Sequence, residues 1–215
     1  MWNTIIFDLD GTLTDSQAGI TNSVAYALSH FGIREEHPQL LKFVGPPLHE
    51  SFREYYGFNQ EQIDQGVVKF REYFNAKGWL ENAPYPGVEA LLRELKAAGL
   101  RLMVATSKPE EFALRILEHF HLAEYFDGIC GAPMDEQAGA RKAAVLRRAL
   151  TASAAAGGGA AVMVGDRRQD VMGAHEVGVP CIGVLYGYGD REELESAGAE
   201  FIAEDLGDLQ RILLS

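Results

Sequence analysis

Strands alternating with helices predict an α/β protein: a Rossmann-like parallel sheet core with an inserted α-helical cap subdomain. Three observations carry that expectation. Apolar, strand-like runs at residues 4–8, 100–105, 160–164 and 181–185 are separated by segments of helical period. A block from about Arg34 to Asn82 is rich in Glu, Gln, Phe and Tyr, with no β-branched run longer than Val67-Val68. Acidic and hydroxylic residues gather where the apolar runs stop.

Thr4–Asp8 is apolar up to its terminal Asp, as suits a strand buried on both faces. Asp15-Ser16 then reads as a helix N-cap, with Ile20, Val24, Leu28 and Phe31 at helical spacing and Gly32 as a stop. Gly45-Pro46-Pro47 and the stretch Asn82–Gly87 punctuate the helical block. Residues 16–83 are therefore expected to form the cap, and 1–15 with 84–215 the core. Val88, Leu91, Leu92 and Leu95 mark the next helix, Leu100–Ala105 a strand, and Phe112–Phe120 a helix. Gly128–Cys130 reads as a short strand and Lys142–Leu150 as a helix. Ser153–Gly159 is low in complexity and reads as a loop. Ala160–Val164 and Cys181–Leu185 are strands, and Asp170–Val177 and Leu206–Leu214 helices.

Of the 215 residues, 47% are hydrophobic and 23% charged, enough apolar material for a sizeable core. Nineteen basic against 31 acidic residues give a net charge of −12. That balance disfavours nucleic acid or an anionic membrane as a partner, since both need a basic face. Cys130 and Cys181 lie in apolar runs and read as two buried thiols. No basic leader and no run near the ~20 apolar residues of a membrane span is visible, so a cytoplasmic location is expected. A monomer or homodimer is expected.

Asp8 and Asp10 stand two residues apart where an apolar run meets a glycine turn. If the strand persists to Asp10, both project the same way. Two such anions repel, and one holds a proton unless a cation intervenes. The pair suits a divalent metal, a division of acid and base roles, or both. Further strand ends deliver Thr106-Ser107 and Asp166, with Asp170 one helical turn on. In parallel sheets, ligands bind beyond these carboxyl ends. Acids, hydroxyls and glycines at one rim suit a phosphate and Mg²⁺, which prefers oxygen ligands.

Asp8-Leu9-Asp10-Gly11-Thr12-Leu13, Val104-Ala105-Thr106-Ser107 and Val164-Gly165-Asp166-Arg167-Arg168-Gln169-Asp170, in that order, resemble the haloacid dehalogenase superfamily. The helical insertion and Phe43-Val44-Gly45-Pro46-Pro47-Leu48 look like its phosphoglycolate phosphatase and 5′-nucleotidase branch. The resemblance implies a Mg²⁺-dependent phosphatase of a small phosphorylated metabolite, phosphoglycolate or a nucleoside monophosphate. It implies Asp8 as nucleophile, forming an aspartyl-phosphate, and Asp10 as acid and base. Asp8, Asp166, Asp170 and the Asp10 main-chain carbonyl would serve the metal. Thr106, with Gly11 and Ser107, would meet the phosphate. Sister activities of this chemistry are a phosphomutase and an inorganic pyrophosphatase.

The implied lysine lacks its usual Lys-Pro setting between Gly131 and Leu150. Lys142 is the preferred candidate, at the start of an amphipathic helix; Lys108, beside Thr106, is its rival, and Arg141 a possible helper. Leu41–Leu48 is expected to dip from the cap toward the site and select the leaving group, with Lys42 as a substrate contact. Phe52, Tyr55, Tyr56, Phe70, Tyr73 and Phe74 read as cap core.

Overall fold

The computed structural model describes residues 2–134 and 141–215. In chain order its strands are β1 (Thr4–Phe7), β2 (Thr14–Asp15), β3 (Ala83–Pro84), β4 (Arg101–Pro109), β5 (Gly128–Ala132), β6 (Ala161–Gly165), β7 (Cys181–Val184) and β8 (Phe201–Ala203). Its helices are α1 (Gln17–His30), α2 (His37–Leu40), α3 (Leu48–Tyr56), α4 (Gln60–Ala76), α5 (Val88–Ala97), α6 (Glu110–His119), α7 (Lys142–Ala155), α8 (Arg168–Glu176), α9 (Arg191–Ala197) and α10 (Leu206–Leu214). None of them is long and apolar enough to cross a membrane.

Six strands form one parallel sheet in the order β5-β4-β1-β6-β7-β8. The chain leaves β1 toward β4 and β5 on one side, then returns to build β6, β7 and β8 on the other. β1 therefore sits at the switch point, where the crossovers diverge and leave a crevice. Phe7, the last residue of β1, pairs with both Val104 and Val164, so the residues after β1 emerge between β4 and β6.

Strand period explains the two-sided core. Ile5, Phe7, Leu102, Val104, Val162 and Val164 face one way, onto Leu91, Leu92 and Leu95 of α5 and Leu209 and Leu213 of α10. Ile6, Met103, Ala105, Met163 and Cys181 face the other way, onto Val145, Leu146 and Ala149 of α7 and Val171 and Ala174 of α8. Cys130 and Cys181 are both free and buried.

Between β2 and β3, helices α1 to α4 gather a separate apolar cluster. Val24, Leu28, Leu40, Phe52 and Ile63 are fully buried in it, and Phe112 and Ile116 of α6 join it from below. The antiparallel pairing Thr14↔Pro84 and Asp15↔Ala83 brings the entry and exit of this segment together.

Several boundaries differ from expectation. The run Ser153–Gly159 is not all loop, because α7 continues to Ala155. Alanine is the strongest helix former, so the helix stops only near the glycines. Ser153 is buried within it, and its hydroxyl meets Thr4 Oγ1 at 3.1 Å. β4 runs past Ala105 to Pro109, which pairs with Ala132 across a register shift. Ser16 holds the N-cap position of α1, yet its hydroxyl makes no capping bond. Asp15 Oδ1 accepts from Gln17 N at 3.2 Å instead. α9 and β8 escape sequence reading because each is short and one is the sheet's edge.

Candidate active site

β1 ends at Phe7, so Asp8 and Asp10 do not share a strand face. Asp8 N still donates to the Val164 carbonyl at 2.9 Å, while the chain turns and Asp10 bridges to Thr14. The two carboxylates consequently meet different cations. Lys142 Nζ lies 2.8 Å from Asp8 Oδ1, and Lys108 Nζ grips both oxygens of Asp10 at 2.7 and 2.9 Å. Both lysines and both acids are buried. The sequence posed Lys142 and Lys108 as rivals; the fold brings both in, each to its own acid.

Lys142 is held on three sides. Besides Asp8, it lies 2.7 Å from Asp170 Oδ1 and donates to the Ala105 carbonyl at 3.1 Å. Burial alone would lower its pKa, but the charges of Asp170 and Asp8 overcome that and hold the ammonium above its ordinary range. α8 makes room for it with Gly173, where a Cβ would stand 2.7 Å from Lys142 Cβ. Arg141, at the start of α7, is exposed.

Asp8, Asp166 and Asp170 present carboxylate oxygens within 4.8 Å of one another, all buried. Asp166 accepts from Tyr188 N at 2.8 Å and from the Thr12 hydroxyl at 3.4 Å. Asp170 Oδ2 accepts from Arg167 N at 3.0 Å. Asp8 Oδ1 and Asp170 Oδ1 both face the Lys142 ammonium as ion pairs. Three formal negative charges thus face one ammonium. Burial, then the Asp170 charge against the pull of Lys142, pushes Asp8 up to about 6. Burial, then the charges of Asp170 and Asp8, drives Asp166 well above the usual carboxylate range. Hard oxygen donors with negative charge in excess of the one ammonium beside them fit a divalent cation. The Asp10 carboxylate stands outside this trio.

Gly11 takes a different part from the expected phosphate contact. Its N–H is committed to the Thr14 carbonyl at 2.8 Å, and its φ of 82° favours glycine. A Cβ there would sit 2.2 Å from Asp166 Oδ2. Gly187 also closes on Asp166, a Cβ falling 2.4 Å from its Cβ and 2.3 Å from the Gly11 carbonyl. Thr106 is buried, and its Oγ1 accepts from Lys108 N at 3.3 Å, leaving the hydroxyl proton free to be donated.

Beside Asp10 lies a chamber of about 50 Å³, lined by Ser107 and Lys108 from the core and by Phe43, Pro46, Phe70 and Phe74 from the helical insertion. Phe70 and Phe74, expected as cap core, both pack there and wall the chamber. Segment 43–48 reaches it through all its residues except Val44. Lys42 does not reach it: its ammonium lies 4.6 Å from the Tyr55 ring centre, and it lines a separate cleft with Gln17, Arg167 and Tyr188.

Sequence reading missed Tyr188. Its amide holds Asp166, and its hydroxyl donates to Asp15 Oδ1 and accepts from Ser16 N, each at 2.8 Å. The signal was the alternation Tyr186-Gly187-Tyr188-Gly189 just past the carboxyl end of β7.

A parallel sheet with acids, a hydroxyl and buried lysines at its switch point defines a hydrolase of phosphoryl-transfer type. The chain belongs to the haloacid dehalogenase-like hydrolases, whose family model matches residues 5–184. It is 41% identical to a 5′-nucleotidase of Pseudomonas aeruginosa, over 98% of this chain and 95% of that protein. It is equally 41% identical to the tyrosine-protein kinase PtkA of Mycobacterium tuberculosis, over 92% of this chain and 67% of that protein. A crystal structure described as a predicted phosphatase from Clostridium acetobutylicum superposes with a TM-score of 0.94 at 47% identity, covering 100% of this chain and 99% of that one. The protein is an enzyme of the phosphatase type within this family.

Proposed function

We propose that the protein is a Mg²⁺-dependent phosphomonoesterase that removes phosphate from a small metabolite through an aspartyl-phosphate on Asp8. One observation carries this reading. Asp8 is held between a lysine and two further acids, while Asp10 sits on a separate cation at the mouth of a chamber. Nucleophile and proton carrier are thereby distinguished by their surroundings.

Asp8, Asp166 and Asp170 would hold the metal, which supplies positive charge where two anions must meet. An Asp8 carboxylate oxygen attacks phosphorus, and the ester P–O bond breaks. Asp10 gives its proton to the departing alkoxide. It then takes a proton from water, which attacks the phosphorus of the aspartyl-phosphate. The P–O bond to Asp8 breaks, phosphate leaves and Asp8 is restored. Lys142 offsets charge on Asp8 throughout, and the Thr106 hydroxyl donates to a phosphoryl oxygen. Lys108 must loosen its two-point grip on Asp10 for the proton to pass.

The chamber bears on the leaving group. The cavity of about 50 Å³ is walled largely by Phe43, Phe70, Phe74 and Phe112. A compact alcohol such as the glycolate of phosphoglycolate suits that space; a nucleoside requires the insertion to move outward. Aromatic walls give a second phosphate few partners, which disfavours pyrophosphate. The reading involves neither nucleic acid nor membrane, and the enzyme acts as a monomer or homodimer.

Phosphate release from p-nitrophenyl phosphate, 2-phosphoglycolate and AMP, with and without Mg²⁺, tests the proposal. Asp8→Asn is expected to abolish it and Asp10→Asn to let aspartyl-phosphate accumulate. Turnover that survives Asp8→Asn would sink the mechanism.

A further inference from the structure

Arg167 touches neither the chamber nor the acids with its side chain, yet it reaches both neighbourhoods. Its Nη1 donates to the Val44 carbonyl at 2.9 Å, across the junction between core and insertion. Its Nε donates to Glu193 Oε1 at 2.9 Å, an oxygen that also accepts from Arg168 N at 2.8 Å. Its backbone N–H is the one that Asp170 Oδ2 accepts. The guanidinium is thus fixed before it meets the insertion, and a planar fork loses little freedom in making two bonds at once.

Phe43, Val44 and Leu48 bury their side chains in the insertion's own apolar cluster, while the Val44 carbonyl ties the segment's backbone across to Arg167. Pro46 and Pro47 have no N–H to donate, and Val44 N is spent on the Leu41 carbonyl. On either side of Val44, residues Phe43, Gly45, Pro46, Pro47 and Leu48 all line the chamber beside Asp10. Arg167 Cγ also underlies Gly45, at 3.4 Å from where a Cβ would stand.

We propose that Arg167 is a positioning residue that sets leaving-group size from outside the chamber, by pinning segment 43–48 to the turn between β6 and α8 that carries Asp166 and leads into Asp170. This rests on the phosphomonoesterase reading for its substrate but not for its anchor. With the pin in place the chamber stays small and compact leaving groups are favoured. Without it the segment swings out, compact esters lose their fit and bulky ones gain entry.

Arg167→Ala and Arg167→Lys test this against a series rising in bulk: 2-phosphoglycolate, glycerol phosphate, p-nitrophenyl phosphate and AMP. One charge-assisted hydrogen bond is worth about tenfold or more in an equilibrium constant. In Arg167→Ala the preference in kcat/KM for 2-phosphoglycolate over AMP should fall by about that factor, with the loss for 2-phosphoglycolate mainly in KM. Lysine keeps the charge but lacks the planar fork that meets Glu193 and Val44 through separate nitrogens, so Arg167→Lys should fall between. Hydrogen exchange gives a readout free of catalysis: amides of Phe43, Val44, Gly45 and Leu48 should exchange about tenfold faster in Arg167→Ala. Unchanged exchange overturns the anchor. Faster exchange with an unchanged ester preference, or a uniform loss across all esters, overturns the specificity role. Absence of turnover by the wild type on every ester removes the phosphatase reading and the substrate claim with it, while exchange still decides the anchor.

Discussion

Lys108 closes on both carboxylate oxygens of Asp10, with each side chain less than a tenth exposed. Removing one member of such a pair leaves an uncompensated buried charge, at a cost of about 3–5 kcal/mol. Lys108→Met should therefore lower stability by that order in urea denaturation. Lys108→Met combined with Asp10→Asn should recover most of it, because neither charge is then stranded. A double variant as unstable as the sum of the two singles would show that the pair is not coupled.

The close approach of α8 to α7 makes Gly173→Ala informative. An alanine would favour the helix by about 1 kcal/mol on propensity alone. Here its methyl falls 2.7 Å from Lys142 Cβ and 3.1 Å from Ala143 N, so α7 must shift and carry the ammonium with it. Phosphatase kcat should drop at least about tenfold, the effect of misplacing one charged group by a fraction of an ångström. Full activity in a well-folded Gly173→Ala protein would remove Lys142 from the role assigned to it.

The raised Asp8 carboxyl links pH to stability. Between its ordinary 3.8 and about 6, the folded chain keeps a proton that the unfolded chain has released. The contribution is fully present below 3.8 and is lost as pH rises through about 6, an amount of about 3 kcal/mol. In EDTA, Asp8→Asn should accordingly be more stable than wild type at about pH 7.5 and show no such gain at about pH 3.5. Mg²⁺ at about a hundred times its dissociation constant should add about 2.7 kcal/mol to the wild type and much less to Asp8→Asn. A wild type indifferent to Mg²⁺ in thermal denaturation would count against the acid trio as a metal site.

The core strands were readable because burial on both faces writes them as unbroken apolar runs, as in Ile5–Phe7 and Val162–Val164. Asp8 and Asp166 were readable because each follows directly on such a strand, and Asp170 by its place one helical turn beyond Asp166. Lys142 and Lys108 could be named but not apportioned. Their partners depend on the turn after Phe7, which points Asp8 and Asp10 at different neighbours. Lys42 looked suited to the site by its place in segment 41–48, yet the rings of Tyr55 and Tyr56 draw its ammonium aside. Tyr188 and Arg167 act through an amide, a carbonyl and a hydroxyl across long sequence separations, and no local pattern announces such bonds.

Gly11 and Gly187 are 176 positions apart in the chain, yet a methyl group on either would occupy space that Asp166 needs. Any missense change at one damages the same carboxylate as a change at the other, so neither can serve as a suppressor. Shortening residue 166 to relieve the crowding would discard the acid itself. The aromatic walls of the chamber can be reshaped without touching Asp166, whereas one carbon added at either of these two positions must displace it.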